Sequence, residues 1–415
     1  MAISMLVSLV GTQMQNAAID WHVWILTRSP LALGFVGLVR IVPIVVLSLV
    51  GGLVADRRDR RRVLLVTQSM MTLVALALGA VTLLGRDSVA LVYLLTALTS
   101  AAGAFDNPSR QSLIPRLVPK DDLPGALAIM LSNFQLASIG GPALTGLVLA
   151  GASGTAPGPW SHAHTGGLAL IYLLNAASFL GVLLALVTLR TSGEVARAEG
   201  ASPHPIASLK EGLDFVFKTP ILVWTMTLDF FATFLSGSMS LLPIFADQIL
   251  KAGPSGYGWL RAAPGIGALF GSVWSSVHGV RRRQGRVFLW AVAAYGAVTI
   301  AFGLSRSFAL TFAALALVGL SDTISTVVRQ TVRQLATPDA LRGRMTGVNM
   351  IFFTGGPQLG ELEAGLVASL FVSAALGASV AVVSGGVGTL LVVAFVAARA
   401  KVVRDYDWSS EPTPS

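Results

Sequence analysis

The sequence predicts an all-α membrane protein of twelve transmembrane helices in two pseudo-symmetric six-helix bundles. Three observations carry this expectation: long apolar runs, a lopsided distribution of arginine and lysine between the segments that join them, and a repeat that links the two halves of the chain.

The apolar runs come first. Of 415 residues, 54% are hydrophobic and only 12% charged, with a mean hydropathy of +0.73. A water-soluble domain carries roughly 25% charged residues, so lipid is the solvent for which this chain is built. A helix crossing the hydrocarbon core needs about 20 apolar residues, because every backbone N–H and C=O must be satisfied within the segment. Runs of that kind are read at 3–26, 33–55, 63–84, 89–109, 126–150, 166–189, 220–245, 256–279, 287–305, 308–328, 345–372 and 376–398. The first has no basic stretch before it and no small-residue cleavage site after it, so it is read as a membrane helix and not as a signal peptide.

Charge sets the topology. Twenty-three lysines and arginines fall in alternate connecting segments, as in 57–62 and 281–286, whereas Arg28, Arg86, Lys251 and Arg306 are the four on the other side. The positive-inside rule then places both termini in the cytoplasm of a multi-pass protein in the inner or plasma membrane. The net charge of +9 is spread over these clusters instead of forming one basic face, which argues against nucleic acid as a partner. Cysteine is absent, so disulfides and thiolate metal sites are excluded.

The repeat divides the chain. Gly34 to Val63 and Gly258 to Val287 have equal lengths, and Arg57, Arg58, Arg62 and Val63 recur as Arg281, Arg282, Arg286 and Val287. Further on, Arg110-Gln111 recurs as Arg329-Gln330, Pro119 as Pro338, and Gly140-Gly141-Pro142 as Gly355-Gly356-Pro357. Six helices is an even number, so both halves share one orientation about an axis along the membrane normal. The expected organisation is an N-terminal bundle (1–190), a polar cytoplasmic linker (191–219), a C-terminal bundle (220–400) and a cytoplasmic tail (401–415).

Ionisable groups inside apolar runs are expensive and mark a pathway by default. They are Asp20, Arg40, Asp229, Arg261, Asp322, Glu361 and Glu363. Asp229 lies about 13 Å into its helix at 1.5 Å per residue, near the midplane, and is the first candidate for carrying a proton; Glu361, Glu363 and Asp20 are the others. Glu361 and Glu363 are two apart and face opposite sides of one helix. Arg40, Arg261, Asp322 and the aromatic Phe230 are candidates for lining a substrate cavity, although Arg40 and Arg261 also sit within reach of the outer headgroups by snorkelling. Asp106 and Asp322 stand four and seven residues before Arg110 and Arg329, where ion pairing is expected. His22 is expected to be a packed, hydrogen-bonded residue, and His162 with His164 in an outer loop makes a weak metal site.

Several of these features resemble a known family. The run Gly52-Leu53-Val54-Ala55-Asp56-Arg57-Arg58-Asp59-Arg60-Arg61 resembles the motif between helices 2 and 3 of the major facilitator superfamily. The resemblance implies a cytoplasmic gate at Asp56, with Arg57, Arg61 and Arg62 beside it; Asp59 departs from the usual glycine. The stretch Asn107 to Pro115 and the later Arg342-Gly343-Arg344 are similar to the siderophore-exporter (transmembrane secretion effector) branch. Gly140 to Gly146 resembles the helix 5 motif of exporting members, with Gly141, Pro142 and Gly146 in place and with Ala137 and Thr145 where glycine is preferred. Helix 4 carries Ala101, Ala102 and Gly103 where many drug antiporters place a relay arginine, so that relay is not carried over.

The expected function is therefore secondary active transport: a monomer in lipid that exports small amphiphilic molecules such as siderophores or drugs against protons or another coupling ion, by alternating access. Facilitated uptake or symport is the alternative within transport, and a non-transporting receptor on the same fold is the alternative outside it. The chain has no phosphate-binding Gly-Lys-Ser/Thr loop and no metal-ligand spacing, so no cofactor, no enzymatic activity and no direct drive by ATP are expected.

Overall fold

A computed structural model describes residues 2–152, 163–188, 205–279, 283–338 and 341–407; within the helices, the side chains of 48–57 and a few shorter stretches lie outside the description. Among the described residues the chain is nearly all helix. The long elements are α1 (Ala2–Thr27), α2 (Pro30–Arg57), α3 (Arg60–Leu83), α4 (Val89–Leu117), α5 (Leu123–Ala152), α6 (Ala163–Thr188), α8 (Pro220–Leu235), α10 (Gly253–His278), α11 (Gln284–Leu304), α12 (Phe308–Ala336), α13 (Arg342–Ser369) and α14 (Ala374–Arg399). Shorter ones are α7 (Pro205–Lys218), the single-turn α9 (Leu242–Ile244) and α15 (Lys401–Arg404).

Among the described residues, nine helical segments are long and apolar enough to cross a membrane. Among the described residues, the long helices outside that set are α1, α10 and α13. These are the elements that carry Asp20, Arg261, and Glu361 with Glu363, so the shortfall in oiliness coincides with the candidate functional charges.

The chain forms two compact units. The first comprises Met1–Ala32, Leu38–Pro203 and Lys251–Ala262; the second comprises Leu33–Gly37, His204–Leu250 and Ala263–Ser415. In the first, α1 packs on α5 and α6, and α3 packs on α6 and α4. In the second, α8 packs on α13 and α14, and α11 packs on α14 and α12. The same pairing recurs in the same chain order, which is what an internal repeat of supersecondary units produces.

Small residues let these helices approach closely. A Cβ on Gly141 of α5 would lie 2.5 Å from Gln13 Cβ and 3.0 Å from the Val10 carbonyl oxygen of α1. In the second unit, a Cβ on Gly237 would lie 2.7 Å from Gly360 Cα of α13. Without a hydrophobic drive between helices in lipid, such contacts supply the packing energy.

Three local features differ from the sequence expectation. The helix read as 220–245 stops at Leu235, followed by Ser236-Gly237-Ser238, a 3-10 turn, α9 and a π-helical turn over Phe245–Ile249. Serine and glycine are poor helix residues, and Gly237 is spent on the close approach to Gly360. Within the stretch read as linker, residues 205–218 form α7, whose Glu211 pairs with Arg344 of α13 at 2.5 Å. Asp59 caps α3: its side chain accepts from the backbone N–H of Arg61 (2.8 Å) and Arg62 (3.3 Å). That cap gives a physical reason for an acid where the family motif has glycine.

Candidate functional site

The first unit holds a charge cluster around α1. Asp20 is fully buried and shared by two guanidinium groups: its Oδ1 is 3.0 Å from Arg40 Nη2 and its Oδ2 is 2.6 Å from Arg261 Nη1. Arg40 also donates to the Asn16 carbonyl at 3.1 Å. Two guanidinium groups thus share one carboxylate inside a packed bundle. Neither arginine is a snorkelling residue here; the side chains of Arg40 and Arg261 are 11% and 15% exposed.

Other polar groups of α1 find partners within the same unit. Asn175 donates to Gln15 Oε1 at 2.8 Å, Thr145 to the Met14 carbonyl at 3.1 Å, and Tyr257 to the Ala17 carbonyl at 2.9 Å. Trp21 lies against the Tyr257 ring with centroids 5.1 Å apart. These bonds lower the cost of burying polar groups along α1, although the Trp21 Nε1 is buried without a hydrogen bond.

At the Arg-rich ends of the first unit the charges are structural in geometry. Asp106 accepts from Thr67 (3.0 Å), Gln68 (2.7 Å) and both Nε and Nη2 of Arg110 (3.1 and 2.7 Å). The expected Asp106–Arg110 pair therefore forms and ties α4 to α3. Arg61 donates to the Leu186 and Val187 carbonyls, both at 2.8 Å, closing the C-terminal turn of α6 where cations are favoured. Arg62 lies with Arg58 and Asp59 beside an apolar cavity of about 570 Å³ lined by Val66, Met70 and Phe105. The side chains of Asp56 and Arg57 lie outside the described residues, as does that of His164, and His162 lies outside them altogether.

The second unit holds the other cluster. Asp229 on α8 is buried and ion-paired with Arg329 of α12. Asp322 is not paired with Arg329. Seven residues of helix put about 10 Å between them along the axis, and the Asp229 carboxylate takes the guanidinium instead. Among the described residues Asp322 has neither an ion pair nor a hydrogen bond. Asp229 and Asp322 line one small cavity with Thr233, Tyr295 and Ser325, about 10 Å³, the lower limit for a single water.

Arg110 and Arg329 occupy equivalent places in the repeat but choose different partners. Four residues before Arg110 stands Asp106; four before Arg329 stands Ser325. The second half lacks the local acid, and its arginine reaches across to α8.

Glu361 is buried and faces the N-terminal part of α2, where a Cβ on Gly37 would meet its Cβ at 2.9 Å. Glu363 has its Oε2 buried with no hydrogen bond. Phe230 sits in an aromatic cluster, stacked on Phe234 (6.0 Å) and edge-on to Phe231 (5.6 Å) and Phe352 (5.9 Å). Among the described residues, no group of three His, Asp or Glu side chains has the geometry of a metal site.

The sequence model of the transmembrane secretion effector family matches residues 1–413. The chain belongs to that family. Among its relatives, the enterobactin exporter EntS of Escherichia coli O1:K1 / APEC is 27% identical over 353 residues, covering 82% of this chain and 78% of the exporter. In the solved structures, a bacterial homolog of the human lysosomal transporter Spinster superposes with a TM-score of 0.75 at 14% identity, covering 98% of this chain and 97% of that one. A bacterial homologue of the iron transporter ferroportin gives 0.67 at 17% identity, covering 94% and 97%. These likenesses give the secretion effector a fold of the major facilitator type. It is an integral membrane transporter of small molecules and not an enzyme.

In this secretion effector the helix 5 motif is a packing device in geometry. Gly141 lies against α1, and a Cβ on Gly146 would lie 2.9 Å from Gly258 Cα and from the Pro254 carbonyl of α10. Pro142 stands inside α5. Sequence reasoning missed the role of Asp59, whose signal was a cap acid four residues before an apolar run. It also missed Asp87, which meets His22 from the turn between α3 and α4.

Proposed function

We propose that the chain is a proton-coupled exporter of small amphiphilic molecules, siderophores among them. It works by alternating access in the inner membrane, with twelve spans in two pseudo-symmetric bundles and both termini in the cytoplasm. The observation that carries the coupling is the contrast among the interior carboxyl groups. Asp20 and Asp229 are held by arginines, whereas among the described residues Asp322 has no cationic partner. A carboxyl that takes up and releases a proton during a cycle has to be free of a fixed counter-charge, because a neighbouring cation holds it ionised. Asp322 meets that requirement, and the cavity beside it has room for one water through which a proton reaches it.

In this reading the roles divide between the two units. The second unit carries the proton on Asp322, with the Asp229–Arg329 pair as its fixed neighbour. The first unit gathers the two guanidinium groups of Arg40 and Arg261 at Asp20, donors that suit the anionic or phenolic end of an amphiphile, with Trp21 and Tyr257 beside them for the apolar part. Asp56 and Arg57 are assigned to the cytoplasmic gate by resemblance to the superfamily motif. Similarity to enterobactin exporters supports efflux and a siderophore-like cargo.

The test is transport by purified protein in liposomes under an imposed pH gradient, with catecholate and hydroxamate siderophores and lipophilic dyes as cargo. The expected result is gradient-driven movement in the wild type, lost in Asp322→Asn, while exchange at equal pH persists. Gradient-driven accumulation by Asp322→Asn at the wild-type rate refutes the assignment.

A further inference from the structure

Three polar side chains of the first unit form a chain that none of the roles above uses. His22 of α1 has its Nε2 2.7 Å from Asp87 Oδ2 and its Nδ1 3.0 Å from the Tyr172 hydroxyl of α6. Asp87 belongs to the turn 84–88 between α3 and α4, and its side chain is 11% exposed against 1% for His22. Tyr172 is fully buried. The series thus leads from a carboxylate that touches the surface, through an imidazole, to a hydroxyl inside the bundle.

The chemistry of the three groups fixes the arrangement. An ionised carboxylate only accepts, so the Nε2 of a neutral imidazole carries its proton and donates to Asp87; Nδ1 is then an acceptor and takes the Tyr172 O–H. The His22 bond outweighs burial at Asp87 and holds its carboxyl below the ordinary range. This keeps an anion against the ring at neutral pH. Two hydrogen bonds at fixed ends leave the ring no freedom to avoid its partners.

We propose that His22, clamped between Asp87 and Tyr172, is a proton-binding site open to the Arg-poor side of the membrane and separate from Asp322. On uptake, one proton from water ends on the ring, which becomes an imidazolium beside the Asp87 carboxylate; N–H is the only bond made. Nδ1 turns from acceptor to donor, so the Tyr172 hydroxyl must reverse and offer its own proton elsewhere in the bundle. Histidine is the side chain suited to this because its ordinary titration spans the pH of the outer medium.

The other titratable and charged groups around α1 are few. Its own helix contributes Asp20, held by Arg40 of α2 and Arg261 of α10. α10 adds Tyr257, bound to the Ala17 carbonyl, and α4 adds Tyr93, bound to the Ala32 carbonyl. α5 has no ionisable side chain, and Arg86 of the same turn is exposed. Asp87 is the member of this set within hydrogen-bond reach of Nε2.

The proposal rests on the reading of this chain as a transporter with its Arg-poor ends outward, and not on which carboxyl drives transport. The test uses the full chain with 15N-labelled histidine in lipid nanodiscs, followed by NMR from pH 8 to 5. His22→Gln identifies the His22 signal among the five histidines. The expected result is one protonated and one bare ring nitrogen at pH 8 and two protonated nitrogens at pH 5, with the transition altered in Asp87→Asn. In sealed, uniformly oriented liposomes the transition follows the pH on the side of the turn 84–88. A His22 signal unchanged between pH 8 and 5, or one that follows only the opposite side, overturns the proposal. Loss of coupling in Asp322→Asn with the His22 transition intact bears on the driving proton alone, so the two readings fail separately.

Discussion

Replacing Asp20 with asparagine keeps the shape of the side chain and removes the one anion that two guanidinium groups share. Breaking a buried ion pair by deleting one partner costs about 3–5 kcal/mol. Here a single deletion removes two charged contacts at once, of 3.0 and 2.6 Å, so the expected loss lies in the upper half of that range. Arg261→Gln leaves the balanced Asp20–Arg40 pair and loses one charged hydrogen bond, about 1.5–3 kcal/mol. The double variant Asp20→Asn/Arg261→Gln loses the Asp20–Arg261 contact once, whereas the two single variants each count it, so its loss falls short of the sum by about 0.5–3 kcal/mol. The assay is reversible unfolding of the purified protein in mixed micelles, followed by tryptophan fluorescence. A double-variant loss equal to the sum within about 0.5 kcal/mol, or an Asp20→Asn protein as stable as the wild type, refutes the account of the cluster.

Other consequences follow from the same geometry. Gly141→Ala pushes a methyl group against Gln13 and the Val10 carbonyl and should cost about 1–3 kcal/mol, whereas Gly140→Ala, whose added Cβ meets nothing within 4 Å, should be neutral; thermal unfolding of the two variants in one detergent compares them. Asp59→Ala removes the α3 cap and should lose about 1 kcal/mol, with Asp59→Asn retaining most of it; unfolding midpoints decide. The lowered Asp87 carboxyl contributes stability that is fully present above the ordinary carboxylate range near about 4 and is lost as pH falls through its lowered value. Acid unfolding should therefore show a wild-type decline at the low-pH end that Asp87→Asn lacks.

Much of the fold was legible in the sequence because lipid imposes length and composition on each span. Partner choice was less legible. The i to i+4 pair Asp106–Arg110 is encoded by one helix and was readable; the Asp229–Arg329 pair joins residues a hundred positions apart and depends on how α8 and α12 pack. Asp20 was visible as an expensive residue, but its two arginines come from α2 and α10, and nothing in the spacing announces that they share it. The break after Leu235 was hidden because an average over an apolar run does not register Ser236-Gly237-Ser238. Asp59 looked like a departure from a motif until the start of α3 showed its hydrogen bonds.

The three helices that fall short of a membrane-spanning composition also bear on biogenesis. A translocon releases a segment sideways into lipid according to its own hydrophobicity, and α1, with Gln13, Gln15, Asn16 and Asp20 along it, is a poor candidate for early release. Its acid is neutralised first by Arg40, which the ribosome delivers with α2, and then by Arg261, which arrives with α10 more than two hundred residues later. The contacts that hold α1 are therefore expected to be complete only when synthesis has passed the middle of the chain.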